Sequence, residues 1–459
     1  MEQPAGLHSQ SGAAPTPLAD KDSSSSKGAR KSLLASTSGQ LLEWFEWSSY
    51  AVFTPFISAA MFNQTDPASA LLATFGVFAI GFLMRPLGGI VFGAIADRKG
   101  RKNVLIVTMV TMALASVAIG LMPSYETIGV WASVALLLVR VIQGFAHGGE
   151  SATANGYIPE IAPRKKRGQW GSLVYVSIFG GSVIAYTLGG VISSAHTESQ
   201  ISEWGWRIPF LLGAAGAVFA LWLRRGMQES EAFEEQGTES AGSPSNGTDT
   251  VNNGHSDQGK NFSKPRPRWV SILLIIGMVS GVTATHYVWS SYVSTYAISV
   301  QGMNYESAYW LTVVAQSVGL IALPLWGMLS DRIGRKPVIY IFAVGLLILQ
   351  IPLLGMISDQ PWTLFVASTV GLIFVSAGGA LLAPIMSEVF PTAQRTQSIG
   401  IAYSVSVAVF GGTVPYVYQL FVAQNLTWVA GAVVSFLCLL TFVSMRMLPE
   451  TKGVDLKDV

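Results

Sequence analysis

The chain has 459 residues, a net charge of +2, and a composition that is 50% apolar but only 12% charged. A water-soluble domain of this size carries about 25% charged residues, so the apolar half has to face something other than water. The small net charge gives no electrostatic footprint for nucleic acid, and a single cysteine, Cys438, excludes an intrachain disulfide.

Residues 1–32 are polar and basic, with Lys21, Lys27, Arg30 and Lys31 around a serine run. No apolar core precedes Leu33, so they read as a disordered cytoplasmic tail and not as a cleavable signal peptide. Twelve apolar blocks follow, each near the roughly 20 residues needed to cross a bilayer. They are predicted at 36–61, 69–95, 104–122, 129–156, 170–193, 207–224, 270–298, 307–329, 338–357, 362–386, 397–422 and 428–446. Prolines inside them (Pro55, Pro86, Pro324, Pro352, Pro384, Pro415) would damage a soluble helix; in a membrane bundle, neighbouring helices re-satisfy the freed backbone groups. A Gly/Ser/Asn-rich stretch, 226–268, reads as a solvated linker. It divides the chain into six-helix halves at 33–225 and 269–447, with a short tail at 448–459. The fold class expected is therefore all-α integral membrane, with twelve transmembrane helices in two halves.

Orientation follows from the cations. Of the 28 Lys and Arg residues, all but Arg85, Arg140 and Arg207 fall in the tails, around the linker, in the loops after even-numbered spans, or, for Arg224 and Arg446, on the last residue of a span that ends on that side. Positive charge is retained on the cytoplasmic side, so both termini and the linker are expected there, in a multi-pass protein of the cell membrane.

A repeat supports the division. Gly93-x-x-x-Asp97-Arg98-x-Gly100-Arg101-Lys102 returns as Gly327-x-x-x-Asp331-Arg332-x-Gly334-Arg335-Lys336. A second repeated loop sets Glu160, Pro163 and Arg167 against Glu388, Pro391 and Arg395. Corresponding motifs in two hydrophobic halves are the signature of repeat-built transporters.

Ionisable residues inside the hydrocarbon cost about 2.5–3.5 kcal/mol on insertion scales and are functional candidates by default. Glu43, Glu46, Arg85, Arg140, His147 and Glu150 qualify. Arg85 lies mid-span, and its planar fork suits a carboxylate; the alternative is a permanent ion pair with Glu43 or Glu46. Those two acids are three apart on one helix face. Two carboxylates in low dielectric cannot both ionise cheaply, so one is expected to hold a proton. Arg140, Gln143, His147 and Glu150 recur at helical spacing and form one stripe, able to carry an Arg–Glu network with a titratable histidine. Glu43, Glu46, His147 and Glu150 are thus the proton-coupling candidates. Arg207 sits beside Trp204 and Trp206, as an interface anchor does. The seventh span offers His286, Tyr287, Trp289, Tyr292 and Tyr296, of which Tyr287 and Tyr292 are candidate carboxylate contacts. Asp97 and Asp331 stand at helix C-termini, the wrong end for an anion by about 0.3–1 kcal/mol, unless a facing helix N-terminus or nearby arginines reverse the sign.

With its two halves, central linker and paired Gly-x-x-x-Asp-Arg-x-Gly-Arg-Lys loops, the sequence resembles the major facilitator superfamily. The resemblance narrows to its metabolite:proton symporter branch through Gly39-x-x-x-Glu43-Trp44-Phe45-Glu46, Arg85-Pro86-Leu87-Gly88-Gly89, Arg140-x-x-Gln143-Gly144-x-x-x-Gly148-Gly149-Glu150 and Trp206-Arg207-Ile208-Pro209-Phe210. Within that branch the phrases around Gly76–Pro86, Tyr125–Gly129 and Glu203–Arg207 are similar to 2-oxoglutarate permeases. Glu46 departs from the family's usual Asp, and His147 and Ser151 from its usual Val and Tyr. The resemblance implies proton-coupled import of a small organic anion, a dicarboxylate such as 2-oxoglutarate, with shikimate, citrate and proline or betaine as alternatives. It implies a second carboxylate-binding role for Arg207, and that Asp97 and Arg101 latch the halves when the cavity faces outward; Arg140, Asp331 and Arg335 are assigned with them to a gate and salt-bridge network. No cofactor is expected, the proton being the coupling ion; a monomer in the bilayer is expected, with no enzymatic activity.

Overall fold

The computed structural model describes residues 39–99, 101–148, 158–160, 162–224, 267–391 and 394–456, and the side chains of all of these but 93, 96–99, 101–103, 105 and 220–224. The expected tail at 1–32, almost all of the linker at 226–268, and Glu150 lie outside these residues, as do the side chains of Asp97 and Arg101. No strand occurs among the described residues.

In the N-terminal half the first span is α1 (39–52) and α2 (Thr54–Met61), and the second is α3 (Pro67–Leu83) and α4 (Arg85–Lys99). Both spans break next to a proline, at Phe53 before Pro55 and at Met84 before Pro86, because proline has no N–H for the helical ladder. Four further spanning helices follow in this half, α5 (Arg101–Gly120), α6 (Val130–His147), α7 (Arg167–Ala195) and α8 (Ile208–Arg224), with short helices at Tyr125–Ile128 and Glu198–Glu203 between them. Asp66 starts α3: its carboxylate accepts from the Ser69 hydroxyl and backbone N–H at 2.6 and 3.2 Å, ahead of Pro67. The Ser69 bonds hold that carboxyl below its ordinary value.

The C-terminal half runs α9 (Arg268–Tyr287), a π-helical turn at Val288–Tyr292, α10 (Val293–Ser299), α11 (Tyr305–Ile333), α12 (Arg335–Met356), α13 (Pro361–Val389), α14 (Arg395–Ser406), a second π turn at Val407–Gly411, α15 (Val414–Ala423) and α16 (Thr427–Met447). Nine segments among the described residues are long and apolar enough to cross a membrane. The other three expected spans are the shorter apolar helices Ile106–Gly120 and Gly205–Phe219 and the broken first span. Large apolar side chains such as Ile90, Leu114, Ile321 and Phe436 are 63–70% exposed on the outside of the bundle, which suits lipid and not water.

Close helix approach is built from glycine. A Cβ on Gly144 would lie 1.9 Å from the Gly81 carbonyl oxygen, and one on Gly148 2.0 Å from that of Arg85. The second and fourth spans therefore touch backbone to backbone, as small residues allow in membranes. This contact brings Arg85, Arg140 and His147 together.

The two halves are bonded at both ends. At the end opposite the basic loops, Tyr309 donates to the Val52 carbonyl at 2.8 Å, the Tyr186 and Ser294 hydroxyls pair at 2.6 Å, and Ser194 donates to Glu306 at 2.6 Å. At the basic end, charged side chains make the contact. The buried groups described next lie between these closures.

Candidate functional site

Arg85 opens α4 directly after the break at Met84 and is 4% exposed. Its guanidinium lies 3.7 Å from the Phe82 ring centroid, 4.3 Å from Trp47 and 5.8 Å from Trp44. Cation–π contacts of this kind stabilise a desolvated charge by up to about 2 kcal/mol. They leave its N–H groups open: Nε and Nη2 have no hydrogen-bond partner among the described residues. The Tyr287 ring, from the other half, packs 5.2 Å from Phe82 and 6.1 Å from Trp44, and its hydroxyl is also without a partner. An aromatic floor, a fixed cation with free donors and a phenol from the facing half make a carboxylate receptor in chemical terms.

Trp47 divides the buried charges of the N-terminal half into two sets. On one side its indole N–H donates to His147 Nδ1 at 3.1 Å, and His147 Nε2 meets the Glu43 carboxylate. That bond fixes the imidazole proton on Nε2, facing Glu43. On the other side Arg140 Nη1 donates to Gln143 at 2.7 Å, and Gln143 Nε2 donates to Glu46 at 3.1 Å. Arg140 stacks 3.8 Å from the Tyr50 ring centroid and 5.0 Å from that of Trp47. Glu43 and Glu46 line one small cavity with Gly39, Leu42, Met109, Met112 and Ala217, but each has its own basic or amide partner. The acids are thus separated by their partners, and Glu43 is the one joined to a histidine.

In the C-terminal half the Tyr292 hydroxyl donates to Gln419 at 3.1 Å, and its ring stacks on Phe75 of the opposite half at 5.5 Å. Trp289 donates to Gln350, which donates to Tyr418, each at 2.9 Å. The candidate contacts Tyr287 and Tyr292 therefore differ: one hydroxyl is unbonded and the other is held within its own half.

Arg207 is not brought to Arg85. It precedes α8, where its Nη1 donates to the Gly120 and Met122 carbonyls and its ring-stacking partner is Trp206 at 4.5 Å. Gly120 ends α5, so Arg207 satisfies orphan carbonyls at a helix C-terminus, where a cation is favoured. These contacts are of the kind an interface anchor makes.

At the basic end, Asp331 sits at the close of α11, yet its two carboxylate oxygens accept from the Gly168 and Gln169 backbone N–H groups at 2.8 and 3.0 Å. These are first-turn donors of α7, which starts at Arg167 in the other half. The unfavourable helix end is offset by a facing N-terminus and by Arg335 Nη1 at 2.8 Å. Arg335 also forks onto Glu388 through Nε at 3.1 Å and Nη2 at 2.9 Å, and Arg167 crosses from the other half to Glu388 at 3.2 Å. Arg395 makes the reciprocal crossing to Glu160 at 3.3 Å. The second sequence repeat is thus a pair of exchanged ion pairs. Glu450, beyond α16, accepts from the Arg335 and Lys336 backbone N–H groups and caps α12.

No cluster of three or more His, Cys, Asp or Glu suited to a metal occurs among the described residues. The sequence matches the model of the Major Facilitator Superfamily over residues 38–411 and 302–457. The chain belongs to the Major Facilitator Superfamily. This facilitator is 33% identical over 406 residues to the alpha-ketoglutarate permease of Escherichia coli, covering 88% of this chain and 90% of that one. It is 33% identical over 396 residues to a putative proline/betaine transporter of Staphylococcus aureus, covering 85% and 82%. A glycine betaine/proline/ectoine/pipecolic acid transporter of Dickeya dadantii is 32% identical over 388 residues, covering 84% and 76%. Its fold is that of the xylose transporter XylE of E. coli, solved in a partially occluded inward-open conformation, with a TM-score of 0.69 at 19% identity and coverage of 92% and 98%. The proton:xylose symporter XylE bound to a bromodeoxyglucose gives a TM-score of 0.70 at 19% identity, covering 94% and 98%. The chain is a helical, multi-pass membrane transporter.

Three groups of this facilitator are not among the residues singled out as sites from the sequence. Trp47 touches Arg85, Arg140 and His147, and its only signal was its place directly after Glu46. Glu388, Arg167 and Arg395 were visible as a repeat, but not as a lock. His286 was visible only as one polar residue in an aromatic span.

Proposed function

We propose that this facilitator is a proton-coupled symporter that imports a small organic anion by alternating access, with a dicarboxylate such as 2-oxoglutarate as the leading substrate. The observation that carries the reading is Arg85: a buried guanidinium with two unbonded N–H-bearing nitrogens, facing an unbonded tyrosine hydroxyl across the two halves. A carboxylate arriving there would satisfy donors that are otherwise costly to leave unmade, about 1–3 kcal/mol or more for a charged group. The Glu43–His147 pair and the Glu46–Gln143–Arg140 set supply sites for the coupling proton. The similarity to an alpha-ketoglutarate permease supports the dicarboxylate. The basic end is assigned to the cytoplasm on the cation bias; a cysteine placed at Ser243 and labelled from outside intact cells would overturn that.

A second reading has an observation of its own. Only one of the two expected arginines is at the site, and Trp44, Trp47, Phe82 and Tyr287 surround it. One carboxylate on Arg85 and an ammonium against aromatic faces would suit betaine or proline, as the names of other relatives suggest. Uptake into proteoliposomes under an imposed pH gradient decides, with 2-oxoglutarate, succinate, citrate, shikimate and betaine as competitors. Displacement by dicarboxylates and dependence on an inward proton gradient are expected. Displacement by betaine alone would replace the dicarboxylate reading; uptake indifferent to the gradient would replace symport by facilitated diffusion.

A further inference from the structure

We propose that His286 is the group of the C-terminal half that receives the second carboxylate of the transported anion, taking up a proton as that carboxylate arrives. The inference rests on the dicarboxylate reading and adds a residue and a proton to it. His286 ends α9 one residue before Tyr287 and is 3% exposed. Its ring lies 5.3 Å from Tyr287, 5.9 Å from Trp44, 5.7 Å from Tyr175 and 5.4 Å from Phe179, centroid to centroid. It therefore sits where the first, fifth and seventh spans meet, and it shares Trp44 and Tyr287 with Arg85.

Hydrogen-bond accounting assigns its proton. The Ser290 hydroxyl donates its one hydrogen to the His286 carbonyl at 2.6 Å, so toward His286 Nε2, at 3.4 Å, its oxygen can only accept. The neutral imidazole then carries its hydrogen on Nε2 and a bare lone pair on Nδ1. Nδ1 has no partner among the described residues. A buried lone pair repels a carboxylate. Once protonated, Nδ1–H donates to that carboxylate, Nε2–H stays on Ser290, and the imidazolium cancels one negative charge. The only bond formed is N–H, and the proton comes from solvent together with the anion. The phenols of Tyr175 and Tyr287 touch the ring and, with Tyr403 near both, ordinarily stay neutral at physiological pH. Arg85 and Glu43 are within electrostatic reach of Tyr287, and Arg85 lies 5.8 Å from the Trp44 ring centroid. The neighbouring helices α13 and α16 carry only Glu388 and Arg446, near their ends at the basic side. Among these neighbours His286 is thus the group whose ordinary, unperturbed value lies nearest neutral pH.

The test uses the purified full chain in detergent. Binding of 2-oxoglutarate is followed by tryptophan fluorescence from pH 6 to 8, and proton uptake by an indicator dye in weak buffer. The parent is expected to bind more tightly toward pH 6, by up to about tenfold per pH unit, the slope of one linked proton. His286→Gln is expected to take up about one proton fewer per anion bound and to flatten the profile. The parent itself is a control independent of any variant: a mono-ester of 2-oxoglutarate, lacking the second charge, should bind without uptake of that extra proton. Equal proton uptake by parent and His286→Gln, or by acid and mono-ester, overturns the role of His286 while leaving the dicarboxylate reading standing. Failure of the parent to bind 2-oxoglutarate at any pH overturns both.

Discussion

Arg335 and Arg85 are both buried arginines in a membrane bundle, and they are satisfied in opposite ways. Arg335 makes hydrogen bonds through Nε, Nη1 and Nη2, to Glu388, Asp331 and Ser330. Arg85 lies on the faces of Phe82 and Trp47, with Nε and Nη2 unbonded. A saturated guanidinium with carboxylates on each side has no capacity left for a ligand; it holds two halves together until the whole set is broken. A guanidinium held by π faces keeps its charge desolvated and its donors available. The same side chain is thus saturated, or left with open donors, according to whether its neighbours are carboxylates or rings.

The largest effect should come from breaking the lock. Glu388→Gln leaves Arg335 and Arg167 buried without their shared anion, which costs about 3–5 kcal/mol. Thermal unfolding in detergent should shift down accordingly, and cysteines placed at the basic end should label faster. An unchanged unfolding midpoint would mean the lock contributes nothing.

Arg85→Lys tests the receptor. The ammonium keeps the charge but loses the fork, and a substrate carboxylate left poorly paired costs about 2–5 kcal/mol of binding. Uptake should fall strongly while the unfolding midpoint stays near the parent's. If stability falls as far as in Glu388→Gln and uptake does not, Arg85 is a structural ion and the contrast with Arg335 disappears.

Asp331→Asn should be milder than Glu388→Gln, about 1–2 kcal/mol, because Arg335 retains Glu388 while the α7 N-terminus loses a charge facing its dipole. Substrate binding should persist, with the population shifted toward opening at the basic end. Identical uptake kinetics to the parent would remove Asp331 from the gate.

The smallest effect is expected at Arg207. Arg207→Gln can still donate to the Gly120 or Met122 carbonyl, so stability should drop by about 0.5–1.5 kcal/mol and uptake should stay near the parent's. Loss of uptake on the scale of Arg85→Lys would restore a two-arginine site and narrow the difference between its two ends.

Some of this was legible from single residues. Arg85 declared itself as a cation in the middle of an apolar block, and the arginines near Asp331 were expected to reverse the sign of its helix-end placement. Others had no local signature. Glu43 and His147 lie on different spans, and nothing in either segment names the other. Arg207 carried the same family phrase as a binding arginine, yet its distance from Arg85 depends on where α5 ends. His286 is a candidate only through its tertiary surroundings: four rings pack around it, Ser290 lies at Nε2, and Nδ1 has no hydrogen-bond partner among the described residues.

What the sequence by itself determined is the membrane class, the two halves and the end to which the cations are assigned. These follow from block length, composition and charge, which act residue by residue and need no knowledge of partners. Which acid meets the histidine, which arginines are saturated and which keep donors open among the described residues, and which helix start faces Asp331 were decided only by tertiary structure. Those outcomes depend on helices brought within backbone contact by Gly81, Gly144, Gly148, Gly168 and Gly327, and in low dielectric a shift of a few ångströms decides whether a charge is paired, stacked or left waiting.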